Sequence, residues 1–244
     1  MDSIHVSPAS PGCGADVRGV DLGRLSNAEV ADIRAAFEEH GLLFFRDQTL
    51  TGEEHRAFAG RWGEIDRCSE EAGASAGSAG WFGAPCCRPV PTMATVVLAH
   101  QGAGPGPTFH FADLCEAYDD LSIGLKRTLK GLEALHIAGN VPGRGDAQAT
   151  HPVVIRHPET GRKALFLHPD CTVEFGGWTR EESAPLLHYL QAHVMGQDYA
   201  CRFEWTPGVV ALWDNRRILH RPVADGAALA AMQWVTIAGE PLAA

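Results

Sequence analysis

With 244 residues, 45% of them hydrophobic and 20% charged, the chain can bury one substantial core and is too apolar for disorder. Its formal net charge of -10, with basic pairs such as Arg216-Arg217 forming no stripe, argues against a nucleic-acid partner. No apolar run reaches the roughly 18 residues of a membrane span, Met1 to Ser10 lacks the pattern of a secretory signal, and seven cysteines without CxxC spacing favour reduced thiols in a cytoplasmic protein.

In chain order, Ser26 with Glu29 reads as a capping box opening a helix through Val30, Ile33 and Phe37, which His40-Gly41 ends. Leu42 to Phe45 reads as a strand, and Thr51 with Glu54 caps a second helix whose inner face carries Phe58 and Trp62. Residues 68–80, rich in Ala, Gly, Ser and Glu, read as a loop. Strands are expected over 92–99 and 108–111, then a helix opened by Ser122, a Gly-rich loop over 139–149, and strands over 152–156 and 164–168. Thr179 with Glu182 caps a further helix, and three strands follow over 200–205, 209–213 and 232–238. Short strands with a few amphipathic helices predict a mainly β sandwich or barrel with helices packed outside, and residues 1–244 read as a single domain.

Three segments together carry a resemblance. The first runs from Gly14-Ala15-Asp16-Val17-Arg18-Gly19-Val20-Asp21-Leu22 through His40 to Gln48 and on to Arg61-Trp62-Gly63-Glu64. The second is Phe111-Ala112-Asp113-Leu114 with Ala117-Tyr118, His151-Pro152-Val153-Val154 and Ala164-Leu165-Phe166. The third is Leu212-Trp213-Asp214-Asn215-Arg216 followed by His220. In this order they resemble the taurine dioxygenase and 2,4-D dioxygenase (TauD/TfdA-like) family of Fe(II)/2-oxoglutarate oxygenases. The resemblance implies a double-stranded β-helix, also called a jelly roll or cupin-like fold, with the active site inside the barrel mouth.

The resemblance further implies an iron held by an HxD pair and a distant His, leaving positions for 2-oxoglutarate and oxygen. The distant His matches His220. The HxD pair, expected after Trp81, falls on Phe82 and Ala84, neither of which can donate to iron. The Thr that touches 2-oxoglutarate falls on Phe109, or on Thr108 with one gap. The Arg that clamps its distal carboxylate falls on Ala230, and a second Arg of some members falls on Trp234. The chain is also shorter than such relatives after Glu64 and around 139–149, where a substrate lid is normally built.

These departures lead to an expectation of no iron and no 2-oxoglutarate. The expected lining is an apolar cup of Phe82, Ala84, Phe109, Ala230 and Trp234 with His168 among the substrate contacts and His220 at its base. The favoured reading is then a repurposed enzyme of metal-independent lyase, isomerase or cyclase type acting on a small, partly apolar biosynthetic substrate. His220 would move a proton, and Cys171 would be a nucleophile paired with it. The bland counterparts are a relic histidine, an inert buried thiol and a cavity filled by packing. Two alternatives stay open: a non-catalytic ligand-binding or regulatory protein, and an oxygenase with non-standard ligands such as His168, Asp170 and His220. Cys86-Cys87 with His100 and His110 form a weaker metal candidate, and haem on His220 a remoter one. Asp113 and Arg216 read as structural, near a helix start and in a turn-locking ion pair. The partner expected is a small molecule, with association of like chains left open.

Overall fold

The computed structural model describes residues 4–9, 14–66, 86–100, 106–138, 146–196, 198–223, 229 and 232–244. All three expected capping boxes form. Ser26, Thr51 and Thr179 each accept from the third helical N–H while Glu29, Glu54 and Glu182 reach back to the cap. They open α1 (Asn27–His40), α2 (Gly52–Ala59) and, later, α5 (Arg180–Val194). Gly41 ends α1 in the left-handed region at φ 69, which a side chain resists. Between them lie α3 (Leu114–Asp119) and α4 (Ile123–Leu129), the latter capped by Ser122 as expected.

A six-stranded sheet runs in the order β1 (His5–Pro8), β2 (Ala15–Arg18), β3 (Leu42–Phe45), β12 (Val210–Asp214), β4 (Ala94–Ala99), β14 (Met232–Ile237). A three-stranded sheet of β11 (Ala200–Glu204), β5 (Thr108–Asp113) and β13 (Ile218–Val223) accompanies it. Two smaller sheets follow. One is β10 (Thr172–Phe175), β6 (Glu133–Ile137) and β7 (Gln148–Pro152), and the other is β8 (Val154–Arg156) with β9 (Lys163–Leu165).

Strand alternation sorts the core into three layers. On the six-stranded sheet Leu43, Phe45, Val96, Leu98, Leu212 and Val235 meet α1 and α2 on one face. Phe44, Val97, Ala211, Trp213 and Trp234 meet Phe109 and Phe111 on the other. Ala112 and Leu219, on the reverse face of β5 and β13, join a third core with α3, α5 and the β10-β6-β7 sheet. Two sheets facing across an aromatic core, with helices outside, are the double-stranded β-helix expected from the resemblance.

Some boundaries differ from the sequence reading. The loop expected over 139–149 gives way to β7 at Gln148, and residues 139–145 lie outside the described set, as does the loop expected over 68–80. The strand expected over 152–156 is divided between β7, which ends at Pro152 against β6, and β8, which pairs with β9. The strand expected over 164–168 stops at Leu165. Strands β1, β2, β6, β10 and β13 have no counterpart in the sequence reading. No helix among the described residues is long and apolar enough to cross a membrane.

Candidate active site

The turn between β12 and β13 positions His220, the histidine that the resemblance implies as a ligand. Each of its residues is bolted to a different part of the fold. Asp214 accepts from the Arg216 backbone N–H at 2.8 Å and from the guanidinium at Nε (2.9 Å) and Nη2 (2.5 Å). It also pairs with buried His157 at 2.9 Å. Burial alone would raise the Asp214 carboxyl pKa, but Arg216 and His157 outweigh it and hold the group ionised well below the ordinary range. Asn215 donates to Thr92 Oγ1 at 3.0 Å and accepts from Thr95 Oγ1 at 3.1 Å, tying the turn to β4. Arg217 pairs with Asp113 at 2.7 Å and donates to the Glu38 and Glu39 carbonyls at the end of α1. Asp113 in turn caps α3 by accepting from Cys115 and Glu116 N–H, so its structural reading and that of Arg216 both hold.

From this turn β13 carries His220 into the space between the two large sheets. His220 pairs in register with Phe111 on β5 and is 6% exposed. Four aromatic rings surround its imidazole. Trp213 lies at 4.7 Å between centroids, Trp234 at 6.3 Å, and Phe109 and Phe111 at 6.5 Å each. Phe109 also meets Trp234 edge-on at 5.9 Å and Trp205 at 5.5 Å. The expected association of Phe109, Trp234 and His220 therefore forms. Phe82, Ala84 and Ala230 lie outside the described residues.

The walls are not wholly apolar in need. The indole Nε1 groups of Trp205, Trp213 and Trp234 are buried donors without a hydrogen-bond acceptor. Three unmet N–H groups in one aromatic core are unusual, because each costs about 1–3 kcal/mol unless something accepts from it. Trp234 is among the pocket residues expected from the sequence, whereas Trp213 reads there as part of the 212–216 segment and Trp205 only as a strand residue.

Cys171 and His168 stand elsewhere. Both belong to the core behind the β11-β5-β13 sheet, on the far side from the His220 ring. His168 is fully buried against Phe166 (4.9 Å between centroids) and His136 (5.9 Å). Cys171 meets Cys86 and Cys87 rather than His220. Its thiol is lowered by the Cys86 hydrogen bond but raised more by Cys87 and by burial, and the net shift is upward. A thiol held protonated is a poor nucleophile. His168, Asp170 and His220 do not converge, nor do Cys86 and Cys87 with His100 and His110; among the described residues the one set of three metal-type donors is the thiol trio. Cys201 is disulfide-bonded, so the expectation of reduced thiols fails there.

Two facing sheets with a histidine inward from the β12–β13 turn are the architecture of a double-stranded β-helix. The chain matches the taurine catabolism dioxygenase TauD, TfdA family over residues 5–81 and 85–228, and it belongs to that family. It is similar to the (S)-phenoxypropionate/alpha-ketoglutarate-dioxygenase of Sphingobium herbicidovorans, 30% identical over 98% of this chain and 96% of that one. It is similar also to the alpha-ketoglutarate-dependent dioxygenase cnsM of Penicillium expansum, 27% identical over 91% of this chain and 74% of the relative. Among solved structures, a putative alpha-ketoglutarate-dependent taurine dioxygenase from Burkholderia xenovorans superposes with a TM-score of 0.86 at 29% identity, covering 98% of this chain and 91% of that one.

These findings correct two expectations. Metal-independent lyase, isomerase or cyclase chemistry is not supported, and neither is the absence of iron and 2-oxoglutarate (alpha-ketoglutarate), because the family and the relatives are named for dioxygenases dependent on that keto acid. Phe82 and Ala84, which the resemblance places at the ligand positions, fall between the two stretches that match the family and lie outside the described residues. The described residues fit an iron centre in part. His220 supplies one imidazole donor, and the unmet indole N–H groups ask for an oxygen-rich guest.

Proposed function

We propose that the chain is an alpha-ketoglutarate-dependent dioxygenase whose reaction takes place between the two large sheets, with His220 as a metal ligand. The observation that carries this reading is the place of His220, brought into the aromatic core by the β12–β13 turn in a chain of this family. Bound iron with the keto acid would supply the oxidising power for attack on a substrate C–H bond. The protein's own part is positioning. The Asp214–Arg216 and Asn215–Thr95 contacts fix the turn, and the turn fixes the imidazole. The rings of Phe109, Phe111, Trp213 and Trp234 keep bulk water from the site, and the indole N–H groups offer hydrogen bonds to carboxylate or carbonyl oxygen.

The aromatic lining suits a small, partly apolar substrate, consistent with a relative named for phenoxypropionate. Calorimetry tests the reading directly. Titration of 2-oxoglutarate into the Fe(II)-loaded chain under nitrogen is expected to show saturable binding that vanishes when Fe(II) is omitted. Equal heats with and without the metal would refute it.

A further inference from the structure

Behind the β11-β5-β13 sheet, three cysteines from two distant segments meet in the core. Cys86 is 1% exposed, and Cys87 and Cys171 are 4% exposed each. All three sulfur atoms lie within 4.8 Å of one another, and the Cys86 and Cys87 sulfurs are 3.9 Å apart. A metal–thiolate bond of about 2.3 Å places sulfurs roughly 3.8 Å apart in a tetrahedral site and about 4.0 Å apart in a trigonal one. The observed spacing is that of thiolates around one ion, reached with small side-chain shifts.

The backbone around the trio is held from both sides. The Cys86 and Arg88 carbonyls accept from His151 Nε2 at 2.9 and 3.0 Å, which fixes the proton on that nitrogen. Arg88 is further anchored to Asp66 at 2.5 Å. The Cys171 N–H donates to the His168 carbonyl at 3.0 Å, and its own carbonyl accepts from Ile137 at 2.9 Å. A cradle fixed before any ion arrives lowers the cost of binding one. The three sulfurs leave a fourth tetrahedral position that a water molecule can fill.

We propose that Cys86, Cys87 and Cys171 form a binding site for a thiophilic d10 cation, with zinc(II) the ion best suited to a three-thiolate set completed by water. Binding is a ligand exchange without redox change. Three S–H bonds are lost, three protons go to solvent, three Zn–S bonds form with a water molecule in the fourth position, and the site carries a net charge of -1. The bound ion joins the segment at Cys86, two residues after Ala84 in the sequence, to the start of β10. It would thereby brace the chain that leads out of residues 67–85 independently of the metal at His220.

The test uses the full chain. Zinc content by mass spectrometry, before and after dialysis against Zn(II) and then a weak chelator, is expected to show stoichiometric retained zinc. His220→Ala keeps that zinc, whereas Cys171→Ser loses it completely. Replacement of zinc by Co(II) in the unmutated chain is expected to give intense thiolate-to-metal charge-transfer absorption, a readout that stands even if Cys171→Ser does not fold. The proposal is overturned if the unmutated chain neither holds nor takes up zinc, if Co(II) binds without those bands, if zinc departs with His220→Ala, or if the thiols prove to be joined as a disulfide in the freshly isolated protein.

Discussion

The rings of Trp213 and His220 pack at a tilt of 57°, 4.7 Å between centroids, one on β12 and the other on β13. The turn that separates them is held by the Asp214–Arg216, Asn215–Thr95 and Arg217–Asp113 contacts, and the imidazole lies between the sheets rather than behind them. On the reading proposed above, removal of that ring removes a metal ligand. His220→Ala is expected to lower keto-acid turnover and iron affinity by more than about 100-fold, since even the partners of metal ligands are worth 10–100-fold. Circular dichroism should remain that of the parent, and a variant that turns over 2-oxoglutarate normally would remove His220 from the site.

Asp113 serves two elements at once, capping α3 and pairing with buried Arg217. Asp113→Ala leaves that guanidinium buried without its carboxylate, at a cost of about 3–5 kcal/mol. For a chain of this size the melting temperature should fall by roughly 6–20 °C. By contrast Arg202 and Glu204, 62% and 71% exposed, form a surface pair, and Glu204→Gln should change stability by less than about 0.5 kcal/mol. Equal effects of the two substitutions in a thermal melt would contradict this assignment.

Three buried histidines set an acid limit. Burial pushes His55 down to about 4 and carries His136 well below its ordinary value, while His151 is lowered by burial against the opposing pull of the Arg88 and Cys86 carbonyls. Each stays neutral in the fold but takes up a proton near pH 6.5 once unfolded. The unfolded chain therefore binds more protons below that pH, and stability is lost as pH falls from about 6.5 toward 4. Denaturant titrations at pH 7.5 and 5.0 should show the midpoint lower at pH 5.0. An unchanged midpoint would mean that these imidazoles protonate freely in the native state.

Trp234→Phe keeps an aromatic ring in the barrel and deletes one unmet N–H donor. If that donor serves a bound oxygen atom, the Michaelis constant for keto acid or substrate should rise by roughly 3–10-fold, the worth of one hydrogen bond, with little change in melting temperature. An unaltered Michaelis constant for both would show that the indole N–H points at no ligand.

Local signals mark the capped helices and the most apolar strands. Ser26, Thr51 and Thr179 each announce a helix because a hydroxyl three residues before a glutamate satisfies two backbone donors at once. Leu42 to Phe45 reads as a strand because it is apolar throughout, and all four residues are buried. β13 was not legible, although it carries His220. Its proline, Pro222, speaks against a strand in the sequence, yet β13 is an edge strand of its sheet, where a missing N–H costs little. β6 was hidden by Glu133 and His136, the latter buried and bonded to Thr172 across to β10. The thiol trio was invisible for a different reason: Cys86 and Cys171 meet only through the packing of distant segments, and no spacing rule encodes that.

The central claim is that this barrel works with iron and a keto acid through His220, and keto-acid consumption tests it most directly. With Fe(II), ascorbate and oxygen, the purified chain should convert 2-oxoglutarate to succinate and carbon dioxide, and His220→Ala should not. A folded, iron-supplemented protein that leaves 2-oxoglutarate untouched under every such condition would contradict the account.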